Sequence, residues 1–208
     1  MLLIFLSLFF CWLIYRELRS PAEGSKGPVK GYILTLSILA IACAWPAIKT
    51  YRLEAFLSEK ASIIAERPNI KVKCNSIFGS IFNGQGLDNN LGTARISQGE
   101  IFFENNWCSN FQKYLSNPEH PSKEELIAMH VFTHEVMHVR GEKNEKKTDC
   151  QAIQRNHHVG ELLGIDPNTA RRNAKKYYNT YYKQHPYHSK HCVRKGKFDE
   201  RLDDPIWG

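Results

Sequence analysis

The chain has 208 residues, of which 42% are apolar, 12% aromatic and 24% charged. This composition is that of an ordinary globular protein and excludes a fully disordered or collagen-like chain. The net charge is +7, and the first 48 residues hold only four basic and two acidic side chains. The remaining 160 or so residues therefore carry +5, and their length suits one domain with a single core.

Two uncharged apolar runs lie near the N-terminus, at residues 2–15 and 31–48. As helices they would measure about 21 Å and about 27 Å, against about 30 Å of hydrocarbon in a bilayer. They predict a two-helix membrane hairpin over residues 1–48. A cleaved signal peptide at residues 1–15 is the less favoured alternative, because the run lacks a basic leader and a small-residue cleavage site.

The loop between the two runs, residues 16–30, sets the predicted topology. It is basic, with Arg16, Arg19, Lys26 and Lys30, and the positive-inside rule places such a loop in the cytoplasm. Two crossings then return the chain, so residues 49–208 are expected outside the plasma or inner membrane.

Four of the six cysteines lie in this exported part: Cys74, Cys108, Cys150 and Cys192. An even number of cysteines in an exported domain predicts two disulfides. Three pairings are possible, and we favour Cys74–Cys108 with Cys150–Cys192, which join neighbours in sequence. No C-x-x-C pair occurs, which argues against a structural zinc knot.

Apolar spacing predicts a helical stalk at residues 49–68, followed by a domain over residues 69–208. The fold class expected for this domain is α+β. Short strands are predicted at 69–73, 94–97 and 100–104, and helices at 123–140, 144–163 and 167–184. We expect a small antiparallel sheet on the first of these helices, with the Ile101–Phe103 strand as the edge on which a peptide docks.

The ends of the three helices have recognisable signals. Ser122 and Glu125 form a capping box, and Gly141 fits the position after a helix end. Gly164 ends the second helix, and Asp166-Pro167 begins the third.

The first of these helices contains His134-Glu135-Val136-Met137-His138, an H-E-x-x-H motif. Residues four apart share one face of a helix, so the two imidazoles of His134 and His138 are predicted to bind one Zn²⁺. Glu135 can then face the open coordination position and take a proton from zinc-bound water.

The stretch after the motif resembles the gluzincins, the thermolysin-like zinc peptidases. Their second motif is N-E-x-x-[S/T]-D, and residues 144–149 read N-E-K-K-T-D. The resemblance implies that Glu145 is the third zinc ligand and that Asp149 supports a zinc-bound histidine. Only six residues separate His138 from Glu145, far fewer than in thermolysin-like enzymes. A metzincin assignment would put the third ligand at Asn144, which is a poor zinc ligand.

A wider pattern includes Gly141, Cys150 and Gln154, then Tyr187, Ser189 and Cys192. It resembles a little-characterised group of bacterial membrane-anchored metallopeptidases.

A tight turn at 141–143 would fold the second helix back on the first. Position 145 or 146 would then lie opposite His138, and position 149 or 150 opposite His134.

The remaining histidines and tyrosines are expected to support the site or to lie at the surface. His130 is expected to line the pocket or support the ligands. His157 and His158 are expected to be solvated, and the tail histidines to lie at the surface: His185, His188 and His191. One of four tyrosines, or His157, is the candidate oxyanion donor: Tyr177, Tyr178, Tyr181 or Tyr182.

The function predicted from the sequence is that of a membrane-anchored zinc endopeptidase acting on peptides or proteins. No nucleic-acid partner is expected, because the basic, tyrosine-rich helix at 167–184 would lie outside the cell. Two alternatives remain, a non-catalytic zinc-stabilised interaction domain and a zinc amidohydrolase of cell-wall peptides.

Overall fold

The computed structural model describes residues 2–20, 27–75 and 92–207. These residues divide into two compact units, one up to Leu53 and the other from Glu54 onward. The fold class is α+β, as predicted. The described elements are α1 (Leu2–Arg19), α2 (Lys30–Ile64), β1 (Lys71–Asn75), β2 (Gly92–Arg95), β3 (Glu100–Glu104), α3 (Asn105–Ser116), α4 (Lys123–Arg140), α5 (Glu145–Leu162), α6 (Pro167–Thr180) and a 3₁₀ helix (Tyr182–Gln184).

In the first unit, α1 and the start of α2 run antiparallel. Ser7 Oγ donates to the Ala40 carbonyl at 2.9 Å, and the Val29 N–H donates to Glu17 Oε1 at 3.2 Å. A residue later in α1 therefore contacts a residue earlier in the following segment, as in a helical hairpin.

Among the described helices, only α2 is long and apolar enough to cross a membrane, and a signal sequence would have the same properties. The prediction of two spanning helices is therefore corrected to one. α1 is helical, but Arg16, Glu17 and Arg19 fall within its 18 residues and leave too short an uncharged run. Residues 21–26 of the predicted 16–30 loop lie outside the described residues.

The sheet of the second unit has the order β1-β3-β2. β2 is antiparallel to β3, as the turn at Gly99 predicts, whereas β1 is parallel to β3. The prediction of an antiparallel sheet is therefore wrong for β1, and the Ile101–Phe103 strand lies at the centre instead of the edge. Alternating apolar residues predict strands, and the tight turn predicts that β2 and β3 form a hairpin. Neither signal specifies the strand with which β1 pairs.

The last turns of α2 cover the outer edge of β1. Acceptor side chains one helical turn apart bind alternate N–H groups of the strand segment: Ser62 with Ile70, Ser58 with Val72 and Glu54 with Cys74, at 3.1, 2.9 and 2.8 Å. The spacings match because four helical residues rise about 6 Å and two strand residues about 6.6 Å. This closes one edge of the sheet and leaves β2 as its other edge within the described residues.

Helix α3 is absent from the sequence prediction. Trp107, Phe111 and Tyr114 are buried at a helical spacing, but the N-cap Glu104 makes no side-chain cap hydrogen bond, so the helix lacks a start signal. Trp107 stacks on Phe103 of β3 with ring centroids 3.5 Å apart. The aromatic residues of α3 therefore join the sheet to the helical layer.

Phe111 has no exposed surface and packs against Trp107 and Phe132. We expect Phe111→Ala to lower the free energy of unfolding by about 3–5 kcal/mol, because it leaves a cavity in the core. Leu162→Ala, at a 44% exposed site, is the control and should change stability by no more than about 0.5 kcal/mol. Denaturant titration of the full chain in detergent measures both values, and equal losses would contradict this description of the core.

The boundaries of α4 and α5 agree with their signals. Ser122 and Glu125 form the predicted capping box, and Gly141 ends α4 with φ of 125°. Asn144 caps α5 by accepting the N–H of Lys147. The short connection returns α5 antiparallel to α4.

Helix α6 begins at the predicted Asp166 cap but ends at Thr180, short of Gln184. The reason lies in Tyr182, which is 1% exposed and whose hydroxyl accepts the N–H of Ser189. This contact turns the following tail back onto the domain.

Both predicted disulfides are present. Cys74 of β1 is joined to Cys108 of α3, and Cys150 of α5 is joined to Cys192 of the tail. The second bridge fixes the irregular C-terminal tail beside the motif helix and its partner α5.

Candidate metal centre

The inward face of α4 brings the two motif histidines together with a carboxylate from α5. His134 Nε2 and His138 Nε2 lie 3.0 Å apart, and Glu145 Oε2 lies 3.2 Å from each. Both histidines are buried, whereas the Glu145 side chain, from the first residue of α5, is 46% exposed. All three residues line one cleft.

The hydrogen bonds of His138 indicate which of its ring nitrogens is available to a metal ion. His138 Nδ1 lies 2.8 Å from the Glu142 carbonyl, which can only accept, so Nδ1 carries the proton. The Nε2 atom of His138 therefore presents a lone pair. It faces His134 Nε2 and Glu145 Oε2, so the three atoms form a group that could hold a metal ion.

The spacing of the three atoms fits a small ion. In a tetrahedral site with bonds of about 2.0–2.1 Å, ligand atoms lie about 3.3–3.4 Å apart. The observed 3.0–3.2 Å is close to this value. The three atoms could therefore hold a small ion, and three protein ligands would leave a further position open.

Glu135 lies beside this group and is only 7% exposed. Its carboxyl group accepts a hydrogen bond from the Ala94 N–H of β2, and burial raises the pKa of Glu135 despite the two neighbouring histidines. A Cβ at Gly92 would come within 2.8 Å of the Phe103 ring and 3.1 Å of Glu135 Cγ. The glycine therefore allows β2 to pass directly over the carboxyl group.

Asp149 lies one turn along α5 from Glu145 and has no exposed surface. Its Oδ1 atom lies 2.7 Å from His130 Nε2, and 3.4 Å from both His134 Nδ1 and His185 Nδ1. Burial alone would raise the pKa of Asp149, but the imidazoles, His130 foremost, hold it far below its usual range. Asp149 is thus a buried anion that faces the Nδ1 atom of His134, the residue that the sequence places opposite position 149.

His130 is engaged on both ring nitrogens. The Asn156 amide donates to its Nδ1 at 3.1 Å, so its Nε2 carries the proton and donates to Asp149. The Tyr177 ring stacks on it, with centroids 4.4 Å apart, and burial lowers the pKa of His130. His130 therefore supports Asp149, and it also lines the cleft, as predicted.

Two histidine predictions are wrong. His185 was expected at the surface, but it lines the cleft and approaches Asp149. The Cys150–Cys192 bridge could have indicated this, because it ties the tail beside Asp149. His157 was expected to be solvated, but it has no exposed surface.

The cleft has a volume of about 630 Å³ and is walled by β2, α4, the end of α6 and the tail. Of the predicted oxyanion donors, Tyr177 and Tyr181 line it, whereas Tyr178, Tyr182 and His157 do not. Tyr187 also lines it, and its ring lies parallel to that of His134, with centroids 5.8 Å apart.

Three groups in the described part of the chain could hold a metal ion, with possible ligand atoms within 4.8 Å of one another: His134/His138/Glu145, His130/Asp149/His185 and His157/His158/Asp204. No family model matches the chain, and neither a curated protein nor a solved structure is detectably similar to it. The support for a function therefore comes from the side chains of the site alone.

Proposed function

We propose that the chain is a membrane-anchored, zinc-dependent endopeptidase. The observation that carries the proposal is the convergence of His134, His138 and Glu145 beside the buried carboxyl group of Glu135 in an open cleft. Three protein ligands with a free fourth position are typical of catalytic zinc sites, whereas structural sites have four ligands. Two imidazoles and one carboxylate suit Zn²⁺ better than Mg²⁺ or Ca²⁺.

In this proposal Glu135 moves the proton. The bound ion would supply polarisation of the scissile carbonyl and a lowered pKa for a coordinated water. Glu135 accepts a proton from the attacking water and passes it to the leaving amine. The raised pKa of Glu135 suits a group that must both take up and release a proton.

The substrate in this proposal is an extended peptide. Among the described strands β2 is an edge of the sheet, and Gly92, Thr93 and Ala94 line the cleft. A peptide can add to such an edge as a further strand, and its scissile bond then lies near Glu135.

Tyr187 is the proposed donor to the oxyanion that forms during hydrolysis. It lines the cleft above His134, and burial with the nearby carboxylates raises the pKa of Tyr187, so the phenol stays protonated. We expect Tyr187→Phe to lower kcat about 10²–10³-fold with KM and metal content little changed. Steady-state kinetics test this, with Tyr51→Phe as the exposed control. An unchanged kcat would exclude the role.

The proposed location is extracytoplasmic, with α2 as anchor. Basic residues precede α2, which favours a cytoplasmic N-terminal side, and two disulfides suit an oxidising compartment. This location requires the chain to cross the membrane only once, through α2.

A C-terminal alkaline phosphatase fusion is therefore expected to be active, because that enzyme needs an oxidising compartment to fold. Thiol labelling of the unfolded, unreduced chain should modify Cys11 and Cys43 only. Labelling of all six cysteines would contradict the exported location.

Comparison of substrates tests the proposed reaction. The purified chain should cleave casein, and it should leave cell-wall peptide crosslinks intact. Cleavage of the crosslinks alone would favour the amidohydrolase alternative. Cleavage of neither, with metal bound, would favour the interaction domain.

A further inference from the structure

A second cluster of possible ligands lies on α5, away from the cleft. His157 follows Asp149 by eight residues, which is about 12 Å along a helix, and neither His157 nor His158 lines the cleft. His157 has no exposed surface, and neither of its ring nitrogens makes a well-formed hydrogen bond among the described residues, its contact with the Asp204 backbone falling short of one. A buried imidazole normally has such bonds, so this one can accept a ligand.

The neighbours of His157 supply the rest of a coordination site. The His158 ring packs on it with centroids 3.8 Å apart, and Asp204 Oδ2 lies 3.4 Å from His157 Nε2. One possible ligand atom from each of the three residues lies within 4.8 Å of the others. His158 is half-buried and Asp204 is exposed, so solvent can reach the site.

The charge state of the site is compatible with a metal. A neutral imidazole at His157 offers a lone pair to a metal ion. Arg171 donates to Asp204 Oδ2 and to the Pro205 carbonyl, which holds the C-terminal segment in place. Because Arg171 shares the carboxylate, binding should be weaker here than at the cleft.

We propose that His157, His158 and Asp204 bind a second divalent ion of the Zn²⁺ class, which ties the C-terminal segment to α5. Two imidazoles and a carboxylate select a borderline transition metal over Mg²⁺ or Ca²⁺. The site is independent of the proposed hydrolysis.

Equilibrium dialysis of the full chain against Zn²⁺, with metal analysis of the protein, tests the proposal. His158→Ala should bind one ion fewer than the wild type, and Asp204→Asn should bind the same ion more weakly. His158 is chosen because it is only half-buried, and an ion retained at the cleft shows that the variant is folded. His120→Ala, at an exposed histidine outside the three groups, is the matched control and should bind as many ions as the wild type.

The comparison of His158→Ala with the wild type decides the outcome. Equal metal content in the two proteins would overturn the second site. His138→Ala reports on the cleft instead, since it should lose the other ion and keep the one at His158. Failure of the cleft site and failure of this site are therefore distinguishable.

Discussion

Glu135→Gln is expected to abolish peptide hydrolysis while leaving the metal content of the protein unchanged. The amide keeps the size of the side chain and can keep the hydrogen bond from Ala94, but it cannot accept the proton of the attacking water. Loss of a general base costs about 10²–10⁴-fold in rate. Glutamine also does not replace any of the three proposed ligands, so metal binding should persist.

The matched control for this variant is Glu124→Gln, on the exposed first turn of the same helix. It makes the same chemical change outside the cleft and should cleave at the wild-type rate. A Glu135→Gln protein that retains its metal and cleaves as fast as the wild type would exclude the proposed mechanism.

The second large effect separates the two acids of α5. Glu145 Oε2 lies 3.2 Å from the Nε2 atoms of His134 and His138, whereas Asp149 contacts His134 only at Nδ1. Glu145→Ala should therefore remove a ligand and nearly abolish metal retention. Asp149→Ala should weaken metal binding or activity about 10–100-fold, the usual effect of losing a group that orients a ligand.

Metal titration of both variants measures this difference, with Lys146→Ala as an exposed control on the same turn. Asp149→Asn serves as a further variant, because it keeps the shape of a side chain that is buried among imidazoles. If Asp149→Ala empties the site while Glu145→Ala retains the ion, the two roles are reversed.

Much of the site could be predicted because its parts are local in sequence. His134 and His138 share a helix face by their spacing alone, and the short connection after Gly141 brings Glu145 and Asp149 opposite them. The capping box at Ser122 fixes the start of the same helix. Each of these signals acts within a few residues, which is the range that sequence patterns describe well.

The parts that were missed depend on distant contacts. His185 reaches Asp149 because the Cys150–Cys192 bridge and the contact of Tyr182 with the tail fold the chain back. β1 pairs parallel to β3 instead of forming a hairpin, and no local pattern specifies that neighbour. His157 is buried by Asp204 and the C-terminal segment, almost fifty residues later in the chain.

The most direct test of the central claim is digestion of a peptide library by the full chain, with mass spectrometry of the products. Protein loaded with Zn²⁺ should generate new peptide ends, lose this activity after chelation and regain it when Zn²⁺ is restored. A protein that binds its metal in the cleft but generates no new ends, or that cleaves equally well after complete metal removal, would contradict the account.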